Sequence, residues 1–169
     1  PGGGGHATVT RLSTGCLHRA MLSVSSSPRD RRYTVLVSDD DPGVRRGLLL
    51  MLRARGYTVS GYTTGSALLA DPRAREADCV ILDYRMPDID GLTLLDHLRR
   101  QGWRGGAILI SGFYDEDLEQ RARAAGFDQV IPKPVIGRAV LEALRQAVGD
   151  VARRALTRRQ PMALTVGGQ

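Results

Sequence analysis

The chain has 169 residues, a formal charge of +6, 42% apolar residues and two cysteines. That length suits one domain of ordinary size with appendages, and the apolar fraction suits a packed core. Two cysteines, Cys16 in a Gly/Ser-rich flank and Cys79 in an apolar run, argue against a disulfide framework and fit a reducing cytosol. No stretch approaches the roughly 20 apolar residues of a membrane span, which leaves a cytoplasmic protein as the expectation.

The charge is unevenly spread along the chain. Between Tyr33 and Val148 stand 15 Lys plus Arg and 16 Asp plus Glu, so this part is near neutral. The two ends hold 9 basic residues and 2 acids. A basic end can favour a nucleic acid or an anionic surface, but a solvated Arg-rich tail is the plainer reading.

Pro1 to Arg32 shows no periodicity and contains a run of four glycines and Ser23-Val24-Ser25-Ser26-Ser27-Pro28. It reads as a flexible extension. Met21 is a candidate natural start. The Arg- and Ser-rich, acid-poor composition is also similar to an organelle transit peptide, whereas Cys16 lacks the apolar segment a secretory signal needs. The first strand is predicted over Tyr33–Ser38, rich in β-branched residues. Asp39, Asp40 and Asp41 follow, then Pro42, which suits a first helical turn with Asp41 as its cap. Val44, Leu48, Met51 and Leu52 keep helical spacing until Gly56. Tyr57–Tyr62 alternates like a strand, and Gly65–Ala70 is a short helix ending near Asp71-Pro72.

Cys79–Leu82 is a short apolar run that stops at Asp83, the pattern of a buried parallel strand. Pro87 and Gly91 break regular structure, and Leu92, Leu95 and Leu98 mark a helix ending near Gly102. Ala107–Ile110 is a fourth strand closing on Ser111. Asp117–Ala125 is helical with Gly126 as its stop. Asp128–Ile131 is a fifth strand, and Ile136–Val148 is a last helix with Val140, Leu144 and Val148 on one face. Strand and helix alternate five times, which implies a parallel sheet with helices on both faces. The expected fold is flavodoxin-like: doubly wound, five parallel strands in the order 2-1-3-4-5, with its site at the carboxyl ends of strands 1 and 3. The expected organisation is a flexible extension over 1–32, a folded domain over 33–149 and a basic tail over 150–169.

The strand ends carry the polar residues: Asp39 and Asp40 after strand 1, Asp83 after strand 3, Ser111 after strand 4 and Lys133 after strand 5. Three carboxylates brought together repel one another unless a cation joins them. Oxygen ligands favour Mg²⁺, which binds through few carboxylates plus a phosphate. An acid at a strand end is then either a metal ligand or a nucleophile toward phosphorus. Lys133 is the only lysine in the chain, so a compact point charge stands where every other strong cation is Arg.

Asp83-Tyr84-Arg85-Met86-Pro87-Asp88-Ile89-Asp90-Gly91 resembles the D-x-x-M-P-x-x-x-G signature of response-regulator receiver domains, and with the residues above the resemblance covers Tyr33 to about Gly149. It implies Asp83 as phosphoacceptor, Asp40 as a direct Mg²⁺ ligand, Asp39 acting mainly through water, and the backbone carbonyl of Arg85 as a further ligand. Ser111 would hydrogen-bond the phosphoryl group as the switch hydroxyl, Lys133 would pair with its oxygens, and the Lys133–Pro134 bond would be cis. The implied partner is a histidine kinase or a histidine phosphotransfer protein, with a phosphorylation-dependent homodimer as a further expectation. The chain would catalyse only its own phosphorylation and dephosphorylation. The implied switching surface is the last helix, the fifth strand and the helix before it.

One feature departs from the family. Val130 stands where receivers commonly carry Phe or Tyr, so the aromatic rotamer switch is missing; Phe113 or Tyr114 is a candidate substitute beside plain packing. Arg85 and Phe113 occupy positions that in the family influence hydrolysis of the acyl phosphate, with no direction implied. Tyr84 and Met86 read as packing residues. Leu156-Thr157-Arg158-Arg159 faintly resembles the opening of a LuxR/FixJ-type helix-turn-helix domain, but no recognition helix follows; either the tail is plain or the sequence stops before an output domain, and a plain tail without a DNA-binding domain is the expectation.

Two other readings compete. Asp39-Asp40-Asp41 offers the D-x-D of haloacid-dehalogenase-like phosphatases, with Asp39 as nucleophile, but Pro42-Gly43 departs from that pattern and Met86-Pro87 would go unexplained. The Arg-rich ends could bind nucleic acid, against which stand the near-neutral core and the missing groove-reading helix.

Overall fold

Five short runs become the five strands of one sheet: β1 (Thr34–Ser38), β2 (Thr58–Tyr62), β3 (Cys79–Asp83), β4 (Gly106–Ser111) and β5 (Gln129–Pro132). The structure is a computed structural model that describes residues 32–135 and 137–159. Every neighbouring pair is parallel and the order is β2-β1-β3-β4-β5, as the alternation predicted. Every residue of β3 and β4 is buried. A parallel strand covered on both faces has no polar side to show, which is why these runs read as continuous rather than alternating.

The helices are α1 (Pro42–Ala54), α2 (Gly65–Ala70), α3 (Gly91–Arg100), α4 (Glu116–Ala125) and α5 (Gly137–Arg159). They form two layers. One core cluster joins β1 and β3 to Leu48 and Leu52 of α1 and to Val140, Leu144 and Val148 of α5. The other joins Leu36, Val80, Leu82 and Leu109 to Leu68 of α2, Leu94, Leu95 and Leu98 of α3 and Leu118 and Ala122 of α4. Strand alternation sends successive side chains to opposite faces, so Val35 and Val37 meet the first layer and Leu36 the second.

Short side chains start the helices. The Asp41 carboxylate accepts from the N–H groups of Gly43 and Val44 at 2.7 and 3.0 Å, which satisfies two orphan donors of α1. Asp90 and Asp115 do the same for α3 and α4, each at 2.7 Å. Gly126 ends α4 in the left-handed region at φ 96°, where a Cβ would be strained.

Two elements differ from expectation. Pro72–Arg75 forms one turn of 3-10 helix, started by Asp71, whose carboxylate accepts from the Arg73 N–H at 2.8 Å. The last helix does not stop at Val148 but runs to Arg159, through the boundary expected at 149/150. Gly149 costs it only about 1 kcal/mol, and the following Ala, Arg and Leu residues favour the helix. The expected flexible extension lies outside the described residues except for Arg32, and so does the tail after Arg159. Among the described residues, no helix is long and apolar enough to cross a membrane.

Candidate functional site

The ends of β1, β3, β4 and β5 bring the expected residues to one edge of the sheet. Carboxylate oxygens of Asp39, Asp40 and Asp83 all lie within 4.8 Å of one another. Asp39 and Asp83 are buried and Asp40 is exposed. The Lys133 Nζ stands between the two buried acids, 3.1 Å from Asp83 Oδ1 and 3.3 Å from Asp39 Oδ2. Ser111 is buried at the end of β4, one residue past the Asp83–Ile110 pair. The Lys133–Pro134 peptide is cis, as the resemblance implied.

Local bonds fix these positions. The backbone N–H of Asp41 donates to Asp39 Oδ1 at 2.9 Å, and Arg45 reaches back from α1 to donate to the carbonyl of Asp39 at 2.6 Å and of Asp40 at 3.3 Å. The backbone N–H of Lys133 donates to the Ser111 carbonyl at 2.7 Å, and that of Tyr84 to the Ile110 carbonyl at 2.7 Å. These ties hold the β5 and β3 ends against β4. Gly91 packs against the turn after β3: a Cβ there would lie 2.6 Å from the Asp83 carbonyl oxygen and 2.8 Å from Leu109 Cδ1. The glycine that closes the D-x-x-M-P-x-x-x-G run is therefore a requirement of close approach. Met86 of the same run accepts a hydrogen bond from the Ser38 hydroxyl at 3.2 Å through its sulfur, and Tyr84 and Met86 pack against the second core cluster.

Burial raises the pKa of Asp83, and the neighbouring Asp39 charge raises it further, with Lys133 opposing. Burial likewise raises Asp39, opposed by the Asp41 N–H and by Lys133. For Lys133 burial alone would lower the pKa, but the hydrogen bond to Asp83 and the charges of both acids outweigh it, so the ammonium is held more firmly than usual. One cation thus faces three carboxylates, a net negative cluster. Asp39 Oδ2 is buried, and among the described residues its partner is the Lys133 ammonium, in an ion pair at 3.3 Å. A buried carboxylate oxygen whose charge is met by a single shared ammonium, in an all-oxygen donor set, fits a small hard divalent cation.

Sequence reasoning named Ser111, Phe113, Tyr114, Arg85 and Val130 but not their contacts, and it missed the roles of Asp88 and Arg45. The Ser111 hydroxyl donates to the Phe113 carbonyl at 2.5 Å and accepts from the Phe113 N–H at 3.1 Å, so it is engaged with the β4–α4 loop. Phe113 and Tyr114 are exposed, and the Arg85 guanidinium sits 4.2 Å from the Phe113 ring centroid, which ties the β3–α3 loop to the β4–α4 loop. Val130 is half-buried against the second core cluster. Asp88 accepts from the N–H groups of Gly65 and Ser66 at 3.2 and 2.7 Å and so joins the loop after β3 to the start of α2. Arg45 could have been suspected from its place in the first turn after the acids. Nothing local signals Asp88, because its partners lie over twenty residues away in the chain.

Residues 35–145 match the family model for the response regulator receiver domain. The chain belongs to that family. Among curated relatives of this receiver is the transcriptional regulatory protein FixJ of Azorhizobium caulinodans, 33% identical over 118 residues, a match covering 70% of this chain and 56% of that protein. Another is the transcriptional regulatory protein KdpE of Mycobacterium tuberculosis, 37% identical over 115 residues, covering 68% of this chain and 50% of that protein. The receiver thus spans about half the length of the curated relatives it matches. The CheY-like receiver structure from Methanospirillum hungatei superimposes with a TM-score of 0.67 at 23% identity, covering 73% of this chain and 99% of that one, which confirms the fold. These matches place the chain in two-component signalling rather than with the haloacid-dehalogenase-like phosphatases.

Proposed function

We propose that Asp83 is the phosphoacceptor of this receiver, in a domain spanning residues 33–149 between the extension 1–32 and the tail 150–169. The observation that carries the proposal is the Lys133 ammonium seated between Asp83 and Asp39, with Asp40 completing the carboxylate cluster. The donor would be a phosphohistidine on a sensor kinase or phosphotransfer protein in the cytoplasm. An Asp83 carboxylate oxygen attacks phosphorus, the O–P bond forms and the P–N bond breaks. The imidazole leaves with the bonding electrons and is protonated by solvent. Mg²⁺, held by Asp39, Asp40, Asp83 and the Arg85 backbone carbonyl, would neutralise the phosphoryl oxygens during transfer. Lys133 favours the ionised form of Asp83 before the reaction, against its burial, and pairs with a phosphoryl oxygen after it. Apart from this self-modification the domain has no catalytic task.

Ser111 connects the chemistry to the surface. Its hydroxyl would turn from the Phe113 carbonyl to a phosphoryl oxygen, which releases one tie on the β4–α4 loop. With Val130 in place of an aromatic ring, the change would pass through Phe113 and its Arg85 stack, and outward to α4, β5 and α5, the surface on which a phosphorylation-dependent homodimer would form. Intact-mass analysis after incubation with acetyl phosphate or phosphoramidate tests the assignment. A Mg²⁺-dependent gain of one phosphoryl group in the wild type, absent in Asp83→Asn, is expected. No adduct together with no Asp83-dependent phosphate release would refute it.

A further inference from the structure

The near-neutral balance of the folded region conceals a strong separation of charge. Helix α1 with its cap Arg55 contains Arg45, Arg46, Arg53 and Arg55 and no acid. Helix α5 contains six arginines against Glu142 and Asp150. These two helices form one layer, and among the residues whose side chains are described it carries seven arginines and two acids, a net +5. The rest of residues 32–159 carries ten bases and fifteen acids, a net −5. Charge of one sign gathered on one face produces a field that a balanced total hides.

Between α1 and α5 lies a groove of about 790 Å³, edged by Arg55, Arg138 and Arg145 over Met51 and Leu141, with Glu142 as its one acid against three arginines. All three arginines are exposed, and none pairs with an acid among the described residues. Leu141 is only 5% exposed and Met51 is half-buried against the core, so the groove offers little apolar area to an amphipathic peptide. What it offers is guanidinium groups, whose planar forks match phosphate oxygens. Helix α5 is 23 residues long, about 34 Å, close to one turn of B-form DNA. The Arg55 end of the groove is remote from the carboxylate edge. Arg55 follows the thirteen residues of α1, about 20 Å along the helix from Asp41.

We propose that the α1/α5 face is a docking surface for the phosphate backbone of double-stranded DNA, recognised by charge and spacing rather than by base sequence. No helix need enter a groove for this: arginine–phosphate contacts release condensed counterions and carry sequence-independent affinity. Because Asp83 is not involved, binding does not depend on the phosphoacceptor and holds equally in Asp83→Asn.

The test is fluorescence anisotropy of the full chain with a labelled random-sequence duplex of about two helical turns, between 50 and 200 mM NaCl. Binding is expected to weaken linearly on a log–log plot. Arg138→Gln and Arg145→Gln should each reduce the slope by about 0.9, a loss of about 3- to 4-fold in the salt sensitivity over that range. The effect should be equal on unrelated sequences. Arg75→Gln, in the other layer, should leave the slope unchanged, and matched thermal melts confirm that each variant is folded. Three results overturn the proposal: no binding at 50 mM NaCl; a slope indifferent to Arg138 and Arg145, which assigns binding to the termini; or poly-glutamate competing as well as DNA at equal charge, which makes the face a site for acidic proteins.

Discussion

Replacing Gly91 by alanine adds one methyl group at the point where α3 starts against the end of β3. That methyl would sit 2.6 Å from the Asp83 carbonyl oxygen and 2.8 Å from Leu109 Cδ1. Neither neighbour can yield cheaply: one is backbone and the other belongs to a fully buried side chain. Overpacking of this kind costs about 1–3 kcal/mol. The better helix propensity of alanine returns at most about 1 kcal/mol. The expected net loss is about 1–2 kcal/mol, which for a domain of this size lowers Tm by about 4–8 °C. Gly47 supplies the opposite case within the same protein. It lies inside α1, and beyond the helix's own adjoining backbone and its two chain neighbours nothing comes within 4 Å of the place an added methyl would take, so Gly47→Ala should raise stability by about 0.5–1 kcal/mol. Thermal and urea unfolding of both variants measures the pair. The Gly91 variant should also accept a phosphoryl group from acetyl phosphate more slowly, because the displaced carbonyl belongs to Asp83. A Gly91→Ala protein as stable as wild type, or one that shifts in the same direction as Gly47→Ala, would refute the close-approach argument.

Two further outcomes are expected. At pH 7, Mg²⁺ at ten times its dissociation constant should stabilise the domain by about 1.4 kcal/mol, an upward Tm shift of about 5 °C, and Asp39→Asn should weaken that response; an equal shift in the variant would remove Asp39 from the binding set. Asp88 is partly desolvated, but the N–H groups of Ser66, Ile89 and Gly65 outweigh this and hold its carboxyl below the ordinary range. A depressed folded pKa contributes stability that is present above the unfolded value and lost as pH falls through the folded one. Asp88→Ala should therefore cost about 0.5–1 kcal/mol at neutral pH, with the gap to wild type closing only below about pH 4. A gap that is absent at pH 7, or that widens in acid, would contradict the cap.

What could be read from the sequence was local or was fixed by topology. Asp83 announced itself because a fully buried strand ends in an acid. Lys133 did so because it is the only lysine, and the alternation of elements fixed the strand order that brings the two together. The contributors that escaped notice depend on distances along the chain that no local pattern carries. Asp88 caps a helix that begins before β3, and Arg45 reaches backward over the acids it supports. The Ser111 hydroxyl chose a loop carbonyl instead of the carboxylate cluster, a matter of rotamer and not of spacing. The extent of α5 was misjudged because Gly149 resembles a stop, although no proline or turn signal follows it before Pro161. The charge separation stayed hidden for a related reason: α1 and α5 lie more than eighty residues apart in sequence and side by side in the fold.

The single lysine has a consequence for covalent labelling. Amine-directed reagents such as acetylating agents and formaldehyde with a reductant find one ε-amino group in this chain, and it lies between Asp39 and Asp83. The side chain is 24% exposed, so a small reagent has a path to it. The amine becomes nucleophilic only when it gives up the proton that the two carboxylates help it keep. Acylation would erase the one positive charge in the cluster, and an isotopically labelled methyl group, which preserves that charge, would place a single side-chain marker, beside that of the α-amino terminus, at the carboxylate edge.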